Sequence, residues 1–157
     1  MAARFEDPVI RDAVEADIPA LAAIFAADDK GGHGDTADPA ALPDYLAAFR
    51  RIEASPDNRL LVVELGGEVV GTAQYTIIPS LPGRGSSKMT VEAVQVREDM
   101  RGRRIGEALI RHCIAIAEAE GLEMVDLMSN AVRTGAHRFY ERLGFAKSHA
   151  GFKMKLR

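Results

Sequence analysis

The sequence predicts a mixed α/β (α+β) domain built on a mostly antiparallel sheet, with one β-α-β crossover near its middle. Three observations carry this reading. Apolar residues recur at helical spacing in four stretches. Short runs rich in Val, Ile and Thr, bounded by Gly- and Pro-containing turns, read as strands. The strands in the middle of the chain follow one another through connections that hold no helix, and one β-α-β crossover is the simplest way to add the strand after them. The order is β-α-α-β-β-β-α-β-α-β-β, about six to seven strands with about four helices.

Each element has its own signal. Val9-Ile10 after Pro8 opens a short strand. Asp17 precedes Ile18, Leu21, Ile24 and Phe25, an apolar stripe with a carboxylate placed to cap it. The helix stops near Asp28, and Lys30-Gly31-Gly32-His33-Gly34-Asp35 is a loop. Asp38 and Pro39 start a second helix with Tyr45, Leu46 and Phe49 on its apolar face, and Ser55-Pro56 ends it. Leu60–Val63 is an apolar strand, Gly66-Gly67 a hairpin turn, and Glu68–Ile78 a long strand. A Pro/Gly/Ser loop over Pro79–Ser87 leads into a strand at Met89–Val96. Ile105, Leu109, Cys113 and Ile116 then repeat at helical spacing until Gly121. Met124–Met128 reads as a buried strand. Thr134–Leu143 is a helix with Ala136, Phe139, Tyr140 and Leu143 on one face, closed by Gly144. Phe145–Leu156 reads as a final strand pair around Gly151.

The 157 residues suit one domain spanning 1–157. Hydrophobic residues are 47% and charged residues 27%, a globular balance that excludes a disordered tail. No stretch has the ~18 apolar residues of a membrane span, and residues 1–10 lack the apolar centre of a signal peptide, so the expectation is a cytoplasmic protein with no membrane partner. The single Cys113 has no partner for an internal disulfide and no cysteine zinc set, and no metal site is expected. Twenty Lys and Arg against 23 Asp and Glu give a net charge of −3, which disfavours nucleic acid as a partner. Residues 97–104 (REDMRGRR) nevertheless hold four arginines against Glu98 and Asp99. A local cationic cluster on an acidic protein points to a small anionic ligand, with a solvated charge run as the other reading.

The segment from Val91 to Ala117 sharpens this. A strand ends at Val96, a short loop follows, and a helix begins near Ile105. The first turn of a helix carries N–H groups without intrahelical partners and a partial positive charge. Gly102 and Gly106 let a ligand approach the main chain, and Arg101, Arg103 and Arg104 add mobile positive charge. These features describe a phosphate or pyrophosphate site. There is no Gly-Lys-Ser/Thr of a P-loop and no GxGxxG after an early strand. The alternative is a glycine-containing loop that merely turns a strand into a helix.

The segment resembles the signature of the GNAT family of acetyl-CoA-dependent N-acetyltransferases, whose loop follows Gln/Arg-x-x-Gly-x-Gly/Ala. Arg101 and Gly106 match its ends, Arg104 stands where the family usually has Gly, and Val94-Gln95-Val96 fits the preceding strand. Ala136 to Phe145 (AHRFYERLGF) resembles the family's closing helix, which ends Phe-Tyr-x-x-x-Gly-Phe. One helix and one strand separate the two motifs, as in the family, and the resemblance covers essentially the whole chain. It implies a GNAT-like fold and an acetyl-CoA donor whose arm lies between the Met89–Val96 and Met124–Met128 strands. Backbone groups of Val94 and Val96 would pair with that arm, and an N–H near Val94 would polarise the thioester. The N–H groups from Arg101 to Gly106 (Gly102, Arg103, Arg104 and Ile105 included) would hold the pyrophosphate. Asn130 matches a position where the family often contacts the arm, and otherwise serves as a turn residue or helix cap.

Acetyl transfer to an amine needs an aimed thioester, a neutral nitrogen, and stabilisation of the oxyanion and the leaving thiolate. The family places a Tyr at Tyr140 as general acid, and a phenol with a pKa of ~10 is protonated at neutral pH. The alternative for Tyr140 is core packing beside Phe139 and Leu143. Glu92 is the candidate base: an acid within a strand is locally disfavoured, and strict alternation puts it on the face of Val94, although a cross-strand ion pair would also explain it. His33 in the first loop, His149 and Arg84 are candidates for acceptor contacts, or are simply solvated. His112 and His137 read as surface or packing residues, and Cys113 as core.

The first reading is therefore an N-acetyltransferase that moves acetyl from acetyl-CoA to a primary amine of a small molecule. Its alternatives are a protein amino-group acetyltransferase and a non-catalytic acyl-CoA-binding or sensing domain. The resemblance implies a homodimer as often as a monomer.

Overall fold

The computed structural model describes residues 7–28, 30 and 33–157. The leader reading over residues 1–6, and Gly31 and Gly32 of the first loop, lie outside the described residues.

Five strands form one sheet: β1 (Val9–Asp12), β2 (Asn58–Leu65), β3 (Glu68–Pro79), β4 (Ser87–Val96) and β5 (Met124–Leu127). Their spatial order equals their chain order. The first three pairings are antiparallel, and β4 and β5 run parallel, joined by helix α4 (Ile105–Ala119). The remaining helices are α1 (Ile18–Ala26), α2 (Leu42–Ala54), α5 (Thr134–Arg142) and α3 (Pro82–Gly85), a single turn inside the β3–β4 connection. Among the described residues no helix is long and apolar enough to cross a membrane. The β2–β3 hairpin turns on Gly66 and Gly67 at φ of 59° and 78°, values that a two-residue turn of this hand requires and glycine adopts freely.

Helix α4 covers one face of the sheet. Ile105, Leu109, Ile110 and Cys113 pack there against Val63, Met89 and other buried strand residues. Burial pushes the Cys113 thiol up to about 11, so it stays a neutral packing group. Helices α1 and α2 cover the other face, where Leu21, Ile24 and Phe49 close on Val62.

The sequence reading overstates the sheet. Phe145–Leu156 forms no strand pair, because its alternating pattern supplies a tendency to extend but no neighbour supplies the hydrogen bonds. Residues 146–157 stand exposed. Two helix caps also divide. Asp38 accepts the Ala40 N–H at 2.9 Å and starts the turn leading into α2, as its spacing predicts. Asp17 instead turns back to the Val14 N–H (2.8 Å) and to Arg11 (2.7 Å), and makes no side-chain cap on α1. Arg11 also reaches Glu64 at 3.0 Å, so one guanidinium ties β1 to β2 and to the start of α1. The hydrogen bond from Arg11 holds the Asp17 carboxyl below its ordinary range.

Candidate active site

β4 and β5 are neighbours only from Lys88↔Met124 to Val91↔Leu127. β5 ends there, while β4 continues to Val96. The gap expected between the two strands is thus confined to the stretch beyond Val91 and Leu127. Its geometry is set by a bulge in β4. The β3–β4 register passes from Gln74↔Glu92 to Thr72↔Gln95, so three steps along β4 face two along β3. The extra residue is absorbed at Ala93, which takes a left-handed φ of 51°.

The bulge flips the alternation of side chains. Met89 and Val91 before it, and Val94 and Val96 after it, all pack on the α4 side. Glu92 and Gln95 therefore point to the α1–α2 side. This corrects the expectation that Glu92 shares a face with Val94: two-residue counting fails across an inserted residue. Glu92 is exposed, lies opposite Gln74, and has no ion-pair partner among the described residues. The main chain alternates as well. Arg97 donates its N–H to Val70 O at 2.8 Å, so residues 95 and 97 bond to β3 while the amides of Val94 and Val96 turn toward the gap.

After β4 the chain makes a short turn at Glu98–Met100, and Gly102 and Arg104 then adopt φ of 79° and 61° before α4 begins. Arg104 occupies the left-handed region at which the related pattern has glycine. Helix α4 makes its first bond from Ala108 N–H to Arg104 O (3.0 Å). The N–H groups of residues 102–107 find no acceptor among the described residues. A Cβ on Gly106 would meet only Phe139 at 3.6 Å and Val96 at 3.8 Å, ordinary contacts. The fold therefore does not require glycine there, although glycine costs a helix about 1 kcal/mol against alanine.

The arginines divide their work. Arg97 is tied to Asp99 (2.7 Å) and Glu68 (3.3 Å) and braces the turn. Arg101 donates to the Val96 carbonyl at 3.2 Å. Arg104 approaches Glu107 at 3.6 Å, and Arg103 forms no ion pair among the described residues. Arg101, Arg103 and Arg104 are all exposed. A cavity of about 530 Å³ opens beside this loop, between Ala23 and Ile24 of α1 and Val96, Arg97 and Arg101.

Tyr140 packs on the α4 side, its ring 5.1 Å from Phe139 and 5.9 Å from Phe145. Burial pushes the phenol above its ordinary range, and the charge of Arg133 partly opposes this. The phenol is thus a held proton at neutral pH. Asn130 is exposed, and its Oδ1 accepts the Val132 N–H at 3.1 Å, which is the turn role. Its carbonyl lies 2.9 Å from His137 Nε2. His33, Arg84 and His149 are exposed.

Sequence reasoning missed one cluster. Asp28, at the end of α1, accepts from Arg133 Nη2 at 2.6 Å and from Gln95 Nε2 at 2.8 Å. These partners lie 105 and 67 residues away, and no local pattern links them. The contacts join the start of the first loop, the bulged strand and the start of α5 on one carboxylate whose side chain is 10% exposed. Burial alone would raise the Asp28 carboxyl, but Arg133, Gln95 and the Lys30 N–H overcome it and hold it below its ordinary range.

A model of the acetyltransferase (GNAT) family matches residues 20–145. The chain belongs to the GNAT family. It is 32% identical over 142 residues to the L-methionine sulfoximine/L-methionine sulfone acetyltransferase of Pseudomonas aeruginosa, covering 87% of this chain and 78% of that one. It is 36% identical over 66 residues to the aminoalkylphosphonate N-acetyltransferase of Salmonella typhimurium, 42% of this chain and 43% of that one. Among solved structures, a Bacillus halodurans C-125 protein described as a transcriptional regulator superposes with a TM-score of 0.92 at 34% identity, over 96% of this chain and all of that one. The protein is thus a GNAT acetyltransferase, of a family whose enzymes use acetyl-CoA. The stretch of β4 left unpaired beyond Val91, the Val94 and Val96 amides turned toward it and the N–H groups without acceptors before Ala108 fit the arm and diphosphate of acetyl-CoA.

Two predictions come from this geometry. Arg104→Gly relieves a left-handed side chain costing about 1–2 kcal/mol but loosens the unfolded chain, so stability rises by about 0.5 kcal/mol in thermal denaturation. Asp28→Asn strands Arg133 and lowers stability by about 2 kcal/mol at pH 7. The native Asp28 carboxyl lies below its unfolded value, so its contribution is present above about pH 4 and is lost as the pH falls through the native value. The variant therefore loses less of its remaining stability between pH 7 and pH 3, measured by urea unfolding at both pH values.

Proposed function

We propose that this chain transfers acetyl from acetyl-CoA to the primary amine of a small molecule by direct attack of the amine on the thioester. The observation that carries this is the bulge at Ala93. It puts Glu92 on the α1–α2 side of the sheet and leaves Val94 and Tyr140 on the α4 side. A candidate base and a candidate acid then lie on opposite faces of the sheet, so taking the proton from nitrogen and giving one to sulfur fall to separate groups.

The bare N–H groups of residues 102–106 and the charges of Arg101, Arg103 and Arg104 hold the donor's diphosphate. The Val94 and Val96 main chain and Asn130 align its arm. The Val94 N–H donates to the carbonyl oxygen as negative charge builds there. Glu92, directly or through water, takes a proton from the incoming ammonium, because an amine with a pKa near 10 is mostly protonated at pH 7. The N–C bond forms, the C–S bond breaks, Tyr140 gives its proton to the departing sulfur, and the proton shed by the acylated nitrogen returns through water to restore the phenol. A small-molecule acceptor is supported by the two named relatives, whose names specify small molecules. We place the activity in the cytoplasm.

Tyr140→Phe keeps the ring packing and removes the proton. The expected result is a fall in kcat of about 10²-fold, with CoA affinity by calorimetry unchanged. Unaltered turnover with an amine panel, followed by thiol release, would remove the assigned acid. Glu92→Gln lowers kcat about tenfold at pH 7, and the deficit shrinks toward pH 10 as the amine loses its own proton. A deficit constant across pH excludes Glu92 as the base.

A further inference from the structure

Arg133 stands where three elements meet. It precedes α5, and its carbonyl accepts the His137 N–H at 3.1 Å, which ties its backbone to the first turn of that helix. Its side chain reaches the other way. Nη2 donates to Asp28 Oδ2 at 2.6 Å, and the same oxygen accepts Gln95 Nε2 at 2.8 Å. The two charged side chains are 25% and 10% exposed. Drawing such a pair out of water costs much of what its attraction returns, so stability alone is a weak reason to hold a guanidinium there. The reason lies in what the fixed charge acts on.

Tyr140 lies seven residues further on, two turns along α5, a spacing that shares a helix face. Helical side chains lean toward the start of their helix, so the phenol inclines toward Arg133. Gln95 lies in the stretch of β4 that has no β5 neighbour, so no strand on that side separates the guanidinium from the α4 face where Tyr140 packs. The other groups around the phenol are uncharged, engaged or in water. Phe139 and Phe145 flank the ring. On α4, Glu107 is held by Arg104 and Arg111, and the Cys113 thiol bears on Tyr75. On α5, His137 is turned to the Asn130 carbonyl and to Lys147, while Arg138, Glu141 and Arg142 are exposed. Burial holds the proton on the Tyr140 phenol, and Arg133 is the charge, among the described residues, that loosens this hold.

We propose that Arg133 is a positioning residue for the acid step, anchored by Asp28 and Gln95 so that a fixed positive charge bears on the Tyr140 oxygen as its proton passes to sulfur. This rests on the assignment of Tyr140 as the acid. A buried phenol keeps its proton too well: transfer from a group above ~10 to a thiolate whose acid has an ordinary pKa of ~8.5 runs uphill. A nearby cation stabilises the phenolate as it forms and narrows that difference. Asp28 acts through Arg133 and not on the phenol itself.

The phenol can be read directly. Tyrosine is replaced by 3-fluorotyrosine, which brings ionisation toward neutral pH, and the Tyr140 ¹⁹F resonance, assigned by its loss in Tyr140→Phe, is followed against pH. Arg133→Gln, whose amide still donates hydrogen bonds, is expected to move the midpoint upward, and Arg133→Lys, which restores the charge, to bring it part of the way back. Asp28→Asn decides between two signs. Loss of an anion acting alone would lower the midpoint, whereas release of the guanidinium it anchors raises it, and in the Arg133→Gln background the same substitution leaves the midpoint where it was. An unmoved midpoint in Arg133→Gln, or a downward shift in Asp28→Asn, overturns the proposal. In turnover, Arg133→Gln is expected to lower kcat by less than the about 10²-fold loss of Tyr140→Phe and to move the alkaline limb of kcat to higher pH. A deficit equal at every pH marks a merely structural role and also overturns it. The two failures stay distinct: full turnover in Tyr140→Phe removes the acid itself, while an unmoved midpoint removes Arg133 alone.

Discussion

The active region depends on one residue's backbone. Ala93 sits in the left-handed region in the middle of β4, where an ordinary strand residue would be extended. An alanine in that region costs about 1–2 kcal/mol, and the packed sheet around it holds it there. The inserted residue lets Val94 and Val96 rejoin the apolar face under α4 and sends Glu92 and Gln95 to the other side. Without it, the polar side chains of β4 would meet the α4 core or the apolar ones would leave it. β5 ends at Leu127 while β4 runs on past the bulge to Val96, which leaves that stretch of β4 without a strand on its β5 side.

Around this gap, the polar groups are arranged so that each retains the charge state its proposed role uses. The Tyr140 phenol is sunk among aromatic neighbours and stays protonated. Asp28 is also partly buried, but Arg133 and Gln95 keep it ionised. Opposite outcomes follow from one physical variable, burial, because one group has a cation hydrogen-bonded to it and the other does not. The Asp28 cluster links the end of α1, β4 and the start of α5 across long separations in the chain.

Much of this was legible from local pattern. The helices at Ile105 and Thr134, the Gly66-Gly67 turn, the Asp38 cap and the glycine-flanked loop before α4 are each fixed by neighbours a few residues apart. The two motifs around Arg101–Gly106 and Phe139–Phe145 pointed to the family. Three local readings differ from the structure. Alternation along β4 read Glu92 onto the wrong face, because a bulge leaves no compositional mark in Val91-Glu92-Ala93-Val94. Asp17 read as a cap on α1, because Arg11 is a competitor visible only once β1 is paired. Phe145–Leu156 read as paired strands, because periodicity reports a face and not a neighbour.

The sequence by itself determined the elements up to Leu143, their order and the cationic, glycine-containing make-up of the loop before α4, since those depend on spacing and on the unpaired N–H groups at a helix start. Only the tertiary structure decided which face Glu92 occupies, where β4 and β5 part, and what balances Asp28. Those depend on register and on contacts between residues far apart in the chain, and a sum over local preferences contains neither.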